Sequence, residues 1–331
     1  MIAASGPRRR VLLAGGMALL GARAAQAVRV RPSIRHVTLL VGAAEGTGLD
    51  ASARMFAPLL AHILLGTEVT LRNVPGEGGM NAIRAVMEAQ PNGLTLAWLV
   101  SPSLSARVID RGGDDPVLPR LRLIGAVERE PVTFVSPIAA PLESVQDLIQ
   151  RSSADQDAVP LGTPPPGSPP HLAALRLQVL AQTRLNIITF PSAAAARQAV
   201  IAGNVAAAAL AMSDVIGALR DEKLTGIGIA ARRRSDVLPD VPVLEEAGVP
   251  LSATIRRGIA APAGLTDEMA VRFSEALRTI AEDPDFKTMG QTHGFLPAWM
   301  DGPSWTAQVE RERADLAKLW AIEPWLPSSG G

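Results

Sequence analysis

Ser168 and His171 stand three residues apart in PLGTPPPGSPPH (160–171), where six of twelve residues are proline. A serine close to a histidine raises nucleophilic hydrolysis as a possibility. That chemistry needs a base oriented by a third group and an oxyanion hole. No GxSxG elbow occurs in the chain. Both residues also belong to one helix start, where a serine oxygen is better used on backbone N–H groups. Ser168 followed by Pro169 has the form of an N-cap with proline at the first helical position. His171 keeps two readings, a packed or capping histidine and a ligand contact. Proline density suits a linker, but a helical pattern begins at once at His171, so a rigid helix entry fits better.

Metal and thiol chemistry find little support. There is no cysteine, and the four histidines, His36, His62, His171 and His293, show no metal spacing. No cofactor is expected. What remains is backbone chemistry in three glycine-bearing loops, GAAEGTGLD (42–50), NVPGEGG (73–79) and GTPPPGSPPH (162–171). The first lacks both GxGxxG spacing and a P-loop lysine, so it is no nucleotide fingerprint. Each loop falls where a strand hands over to a helix. In parallel α/β sheets ligands sit at the carboxyl ends of strands, and helix N-termini offer free N–H groups and partial positive charge. Several such loops converging would hold a small anion. Taken alone, each marks a turn, and Asp50 is either an N-cap or a ligand contact.

The elements that must position these loops alternate. Strand patterns cover 36–41, 68–74, 94–100, 121–127, 132–136, 186–190, 224–230 and 255–262. The small-residue run 205–211 fits either type, and its place in the order favours a strand. Helical spacing marks Phe56, Leu59, Leu60, Ile63 and Leu64, with Pro58 predicting a late start or a kink. Further helices are expected at 80–87, 144–150, 171–182 and 196–203. Thr266 and Ser304 precede two closing helices. Such alternation implies an α/β architecture with mostly parallel sheets.

Length and composition agree. The 331 residues suit about two domains; 47% are apolar and 19% charged, as in globular proteins. Aromatics at 3% give no stacking platform, and a net charge of zero gives no field for nucleic acid. Residues 1–27 differ. Arg8–Arg10, an apolar run at 11–22 and AQA at 25–27 read as a secretory signal peptide, too short to span a membrane. Twin-arginine export is permitted as well as the general route. Its removal takes four arginines and no acid, leaving 28 basic against 32 acidic residues.

RRRSDVLPDVPVLEEAGVP (232–250), AAPAGLTDEMAVRFSEAL (260–277), NVPGEGGMNA (73–82), QPNGLTL (90–96) and the GT…GSPPHLA run (162–173) carry a resemblance. Together they resemble the extracytoplasmic solute-binding receptors of tripartite tricarboxylate transporters, the Bug family, over the whole chain after the leader. The resemblance implies a type II periplasmic-binding-protein fold: two doubly wound domains joined by a two-crossover hinge. Crossovers are expected near 131 and 254, giving lobes of 28–131 plus 254–331 and of 132–253. It implies a small carboxylate or related metabolite between the lobes, membrane permease subunits as partners, a periplasmic monomer, and no catalysis. The implied contacts are Gly46, Thr47, Gly48, Asp50, Gly78, Gly79 and Ser101 in one lobe. Thr163, Gly167, Ser168, His171, Phe190 and Ser192 serve the other, with Arg256 at a crossover.

Some positions depart from the family pattern. Glu45, Thr47 and Glu77 replace small residues, Phe190 replaces a tyrosine, Leu210 an acid, and Arg256 and Arg257 aromatics. Two arginines facing the cleft would pair with a carboxylate, or would neutralise Glu45 and Glu77. A zwitterion or amide becomes conceivable as ligand. Rival readings are a sensory module for a two-component system, a Ser168/His171 hydrolase, and a ligand-free scaffold.

Overall fold

The computed structural model describes residues 35–112 and 116–326, with Met1. The signal-peptide reading of 1–27 lies outside these residues. No helix among them is long and apolar enough to cross a membrane.

Two sheets share one long strand. In the first, β1 (Arg35–Val41) lies between β2 (Thr67–Asn73) and β3 (Thr95–Ser101), all parallel. The antiparallel β9 (Thr254–Pro262) joins β3 to β4 (Leu121–Pro137), and β10 (Leu296–Asp301) pairs with the far side of β4. The second sheet runs β4, β7 (Ala207–Ala211), β5 (Pro160–Thr163), β6 (Asn186–Thr189), and β8 (Leu224–Ile229) also pairs with β4. Leu39, Leu40 and Val41 of β1 and all of β7 are buried, as apolar runs in a sheet covered on both faces should be.

The single strand β4 replaces two expected strands, at 121–127 and 132–136. Glu128, Arg129, Glu130 and Pro131 look like a break, since charge and proline disfavour a central strand. They stay extended because they pair across to β9 as far as Pro131↔Thr254. At Val132 the pairing passes to β7, opposite Ala211. Irregular register between Leu123 and Gly125, and again between Ala126 and Glu128, shifts which face each residue presents.

Helices cover both faces. α1 (Gly48–Ile63), α2 (Met80–Met87) and α3 (Ser103–Ile109) follow β1, β2 and β3. α4 is Val145–Ala154, α5 Pro169–Ala181, α6 Ala193–Ile201 and α7 Met212–Arg220. α8 (Asp267–Glu282), α9 (Pro284–His293) and α10 (Gly302–Ile322) close the chain. Helix α1 starts ten residues before Pro58 and runs through it, against the expected late start. Pro58 and Arg54, whose carbonyl loses its donor, both lie on the exposed face, where water can serve that carbonyl. Asp301, not Ser304, caps α10: its carboxylate accepts from Ser304 N and Oγ, both at 2.8 Å.

Each sheet has its own core. Phe56 of α1 stacks on Trp98 of β3 at 4.6 Å between ring centres, in a cluster that includes Leu277 and Phe286. Phe134, Leu148, Leu161 and Leu177 serve the second sheet. A further cluster joins the two halves: Leu172 and Leu175 of α5 pack with Ala106 and Ile109 of α3, Leu316 and Leu319 of α10, and Trp325.

Candidate functional site

The first loop is fixed by its own polar groups. Thr47 caps α1, its Oγ1 accepting from Asp50 N at 3.4 Å. The buried Asp50 carboxylate in turn accepts from Gly46 N, Arg54 Nε and Asn73 Nδ2, each at 2.9 Å. The Arg54 bond above all holds this carboxyl down to about 2. Asp50 therefore ties the loop to the end of β2. Glu45 pairs with Arg54 at 3.4 Å, and Glu77 with Arg84 at 2.6 Å and with Arg111. The neutralising partners of both acids are thus neither Arg256 nor Arg257.

The second loop lies against the first: a Cβ on Gly42 would stand 2.8 Å from Gly79 Cα. Together they wall a pocket of about 80 Å³ with Leu49, Gly78, Trp98, Ser103 and Arg107. The third loop meets this wall through Arg107 of α3. Its Nη2 donates to Pro166 O at 3.0 Å and pairs with Asp110 Oδ2 at 2.6 Å. Gly167 has φ +73°, and a Cβ there would lie 1.6 Å from Arg107 Nη2, so Arg107 can take this place only beside glycine. His171 Nδ1 accepts from Gly167 N at 3.4 Å. Burial, and then the Arg107 charge, push this imidazole down to about 4, so it is neutral at pH 7. Ser168 stands at the N-cap of α5 as expected, but its side chain caps nothing; Oγ is buried without a partner.

The other expected contacts are dispersed. Thr163 Oγ1 donates to Pro164 O at 3.1 Å, and Ser192 caps α6 by accepting from Ala195 N at 3.1 Å. Phe190 packs against Gly162 and the core beneath α6. Leu210 is wholly buried in that same core, where a carboxylate would be stranded. Ser101 Oγ accepts from Trp305 Nε1 at 3.2 Å, and Arg256 Nε donates to Gln308 Oε1 at 3.1 Å. Both side chains turn to α10.

Arg257, one residue on, faces the opposite way. It is buried and pairs with Glu128 at 2.9 Å and Glu130 at 2.6 Å. Glu130 also accepts from Ser213 N at the start of α7. Next along α7, Asp214 approaches α1: a Cβ on Gly48 would lie 3.1 Å from Asp214 Oδ1. Arg257 thus pairs with two buried carboxylates, and the charges of Arg257 and Arg197 both reach Asp214. Burial raises Glu128, and burial followed by the Glu130 charge raises Asp214 to about 6. Folded Asp214 therefore holds a proton that the unfolded chain has released between about pH 4 and 6, and stability falls as pH rises through that window. Asp214→Asn lacks this loss. It is expected to raise unfolding stability by about 3 kcal/mol at pH 8, with the gain vanishing below about pH 4. Urea unfolding across pH measures it, and an unchanged or lower stability at pH 8 would refute the assignment.

Arg107 and Asp214 were not singled out from the sequence. Both sit in helices that carry no motif, and only the tertiary fold brings them to the loops.

Residues 53–317 match the model of the tripartite tricarboxylate transporter family receptor. The UPF0065 protein in the gbd 5′ region of Cupriavidus necator is 24% identical over 319 residues, 94% of this chain and 96% of that protein. Among solved structures, MatC from Rhodopseudomonas palustris with bound malate is similar, with a TM-score of 0.75 and 23% identity over 86% of this chain and 99% of that one. R. palustris Rpa4515 with adipate gives 0.77 and 20%, over 87% and 96%. These likenesses establish the fold as the two-lobed one of periplasmic binding proteins.

Proposed function

Because the chain belongs to the tripartite tricarboxylate transporter receptor family, we propose that it captures a small carboxylate between two lobes in the periplasm and presents it to a membrane permease. The observation that carries this reading is a pocket walled by the first two glycine loops, whose Arg107 reaches the third loop at Pro166 and Gly167. Bound malate and adipate in two structural relatives support the ligand class. The proposed lobes are 28–131 with 254–331, and 132–253, hinged where β4 passes from β9 to β7. Capture, not turnover, suits the site. Ser168 Oγ has no partner and His171 Nδ1 is occupied by Gly167 N, so no serine–histidine pair is formed.

Native mass spectrometry of residues 28–331 taken from the periplasm without refolding tests this, followed by thermal shift with malate, adipate and succinate. A ligand that binds only the folded state raises the melting point with concentration, by about 2.7 kcal/mol of stability at a hundredfold excess over Kd. A co-purifying carboxylate, or a shift with one of these acids, is the expected result. No bound mass and no shift with any of them would remove carboxylate capture.

A further inference from the structure

We propose that Arg107 selects the anionic ligand and couples its capture to the meeting of the lobes. Its guanidinium would give a ligand carboxylate one charge-assisted bond from a free N–H while Nη2 holds the Pro166 carbonyl. The inference rests on reading the cleft as a carboxylate site.

Arg107 is the one charged side chain lining the pocket between the first two loops. Its surroundings are shaped for it from both sides. A Cβ on Gly78 would lie 2.5 Å from its Cδ, and one on Gly167 1.6 Å from its Nη2. Glycines in a loop of each sheet therefore leave the channel this side chain occupies. Among the described residues, both partners of the guanidinium, Pro166 O and Asp110 Oδ2, are reached through Nη2. Nε and Nη1 are left for an acceptor in the pocket. Nε–H and Nη1 point to different edges of the guanidinium plane, so each offers a ligand oxygen a single charge-assisted bond and not a fork.

The side chain is also held in place. Asp110 Oδ2 accepts from Trp325 Nε1 at 3.0 Å, and Trp325 packs in the cluster joining α3, α5 and α10. With only 13% of its side chain exposed, Arg107 is poorly hydrated, and an incoming carboxylate replaces little water. His171, the other basic group at this loop, is neutral at pH 7. The charge of the ligand is therefore read by Arg107.

The test is calorimetric titration of the chain with adipate and with adipamate, its monoamide. Wild type, Arg107→Gln and Arg107→Lys are compared after urea unfolding has verified that each is folded. Wild type is expected to prefer the diacid. Arg107→Gln should weaken adipate roughly 10- to 100-fold, the range for a charge-assisted bond, and collapse the acid-to-amide ratio. Arg107→Lys, which keeps the charge but cannot hold Pro166 and the ligand at once through separate guanidinium nitrogens, should fall between, and it reads the same ratio if the glutamine variant does not fold. Equal weakening of acid and amide would reduce Arg107 to a structural tie and overturn the proposal. Tighter binding on its removal would make it a plug and do the same. If adipate does not bind, the acid found by mass spectrometry or thermal shift and its monoamide serve as the pair; wild type binding none of those acids would defeat the carboxylate reading itself, and this inference with it.

Discussion

Arg257→Met is expected to cost about 3–5 kcal/mol of unfolding stability at pH 8 and much less at pH 4.5. The guanidinium lies between Glu128 at 2.9 Å and Glu130 at 2.6 Å, side chains that are only 2% and 0% exposed. Removing it leaves both carboxylates buried without a counter-ion, which costs far more than a pair is worth at the surface. Arg278–Glu282, at 3.6 Å with both partners more than half exposed, should be worth at most about 1 kcal/mol. The pH dependence distinguishes lost charge pairing from lost packing. Burial already raises Glu128, and without the Arg257 charge it rises further. The variant's folded state then binds protons that its unfolded state has released, so its stability falls as pH rises through the raised value. Acid restores what the substitution removed. Urea unfolding at the two pH values measures the difference, and a loss equal at both would mean that methionine merely packs badly.

This cluster also shows where sequence reading stopped. Arg256 and Arg257 stood out as unusual at a crossover, but their directions were not readable. Strand alternation sends them to opposite faces, and which face meets which depends on register. The irregularity between Ala126 and Glu128 places Glu128 opposite Arg257. A regular ladder continuing from Ala126↔Gly258 would have put Val127 there. The same four polar residues hid the continuity of β4, because only the partner strand makes a charged, proline-ended stretch extended.

Elements whose signals are local were legible. Ser144 caps α4 through Asp147 N, Thr266 caps α8 through Met269 N, and the apolar runs of β1, β3 and β7 are strands. The glycine loops were legible for the same reason, since positive φ and close backbone approach leave glycine as the trace. The unannounced parts, Arg107, Asp214 and the α3–α5–α10 cluster, depend on contacts across more than fifty residues of chain. In an amphipathic helix an arginine is ordinarily a solvated face, and nothing local distinguishes one that reaches another lobe.

Gly167→Ala is expected to weaken carboxylate binding roughly 100-fold while costing the fold only about 1–2 kcal/mol of backbone strain. Two costs arise at this position, and they fall in different places. The first is the backbone at φ +73°, about 1–2 kcal/mol for a residue with a Cβ. The second is steric: the new methyl would lie 1.6 Å from Arg107 Nη2 and 2.8 Å from its Cζ. What it meets first is the end of the Arg107 side chain, so Arg107 moves, while Trp325 Nε1 at 3.1 Å has only to give by a few tenths of an ångström. The Pro166 bond is given up, and the guanidinium leaves the place where both loops meet it. Gly203 supplies the control, with the same φ of +73° but nothing within 4 Å of its would-be Cβ, at the end of α6. Gly203→Ala carries the backbone cost alone. The two variants should therefore unfold at similar urea concentrations, and only Gly167→Ala should lose affinity for adipate in titration. Equal affinities in the two would place the Arg107 bridge outside ligand capture. A large loss of stability confined to Gly167→Ala would mean that the bridge holds the lobes together whether or not a ligand is bound.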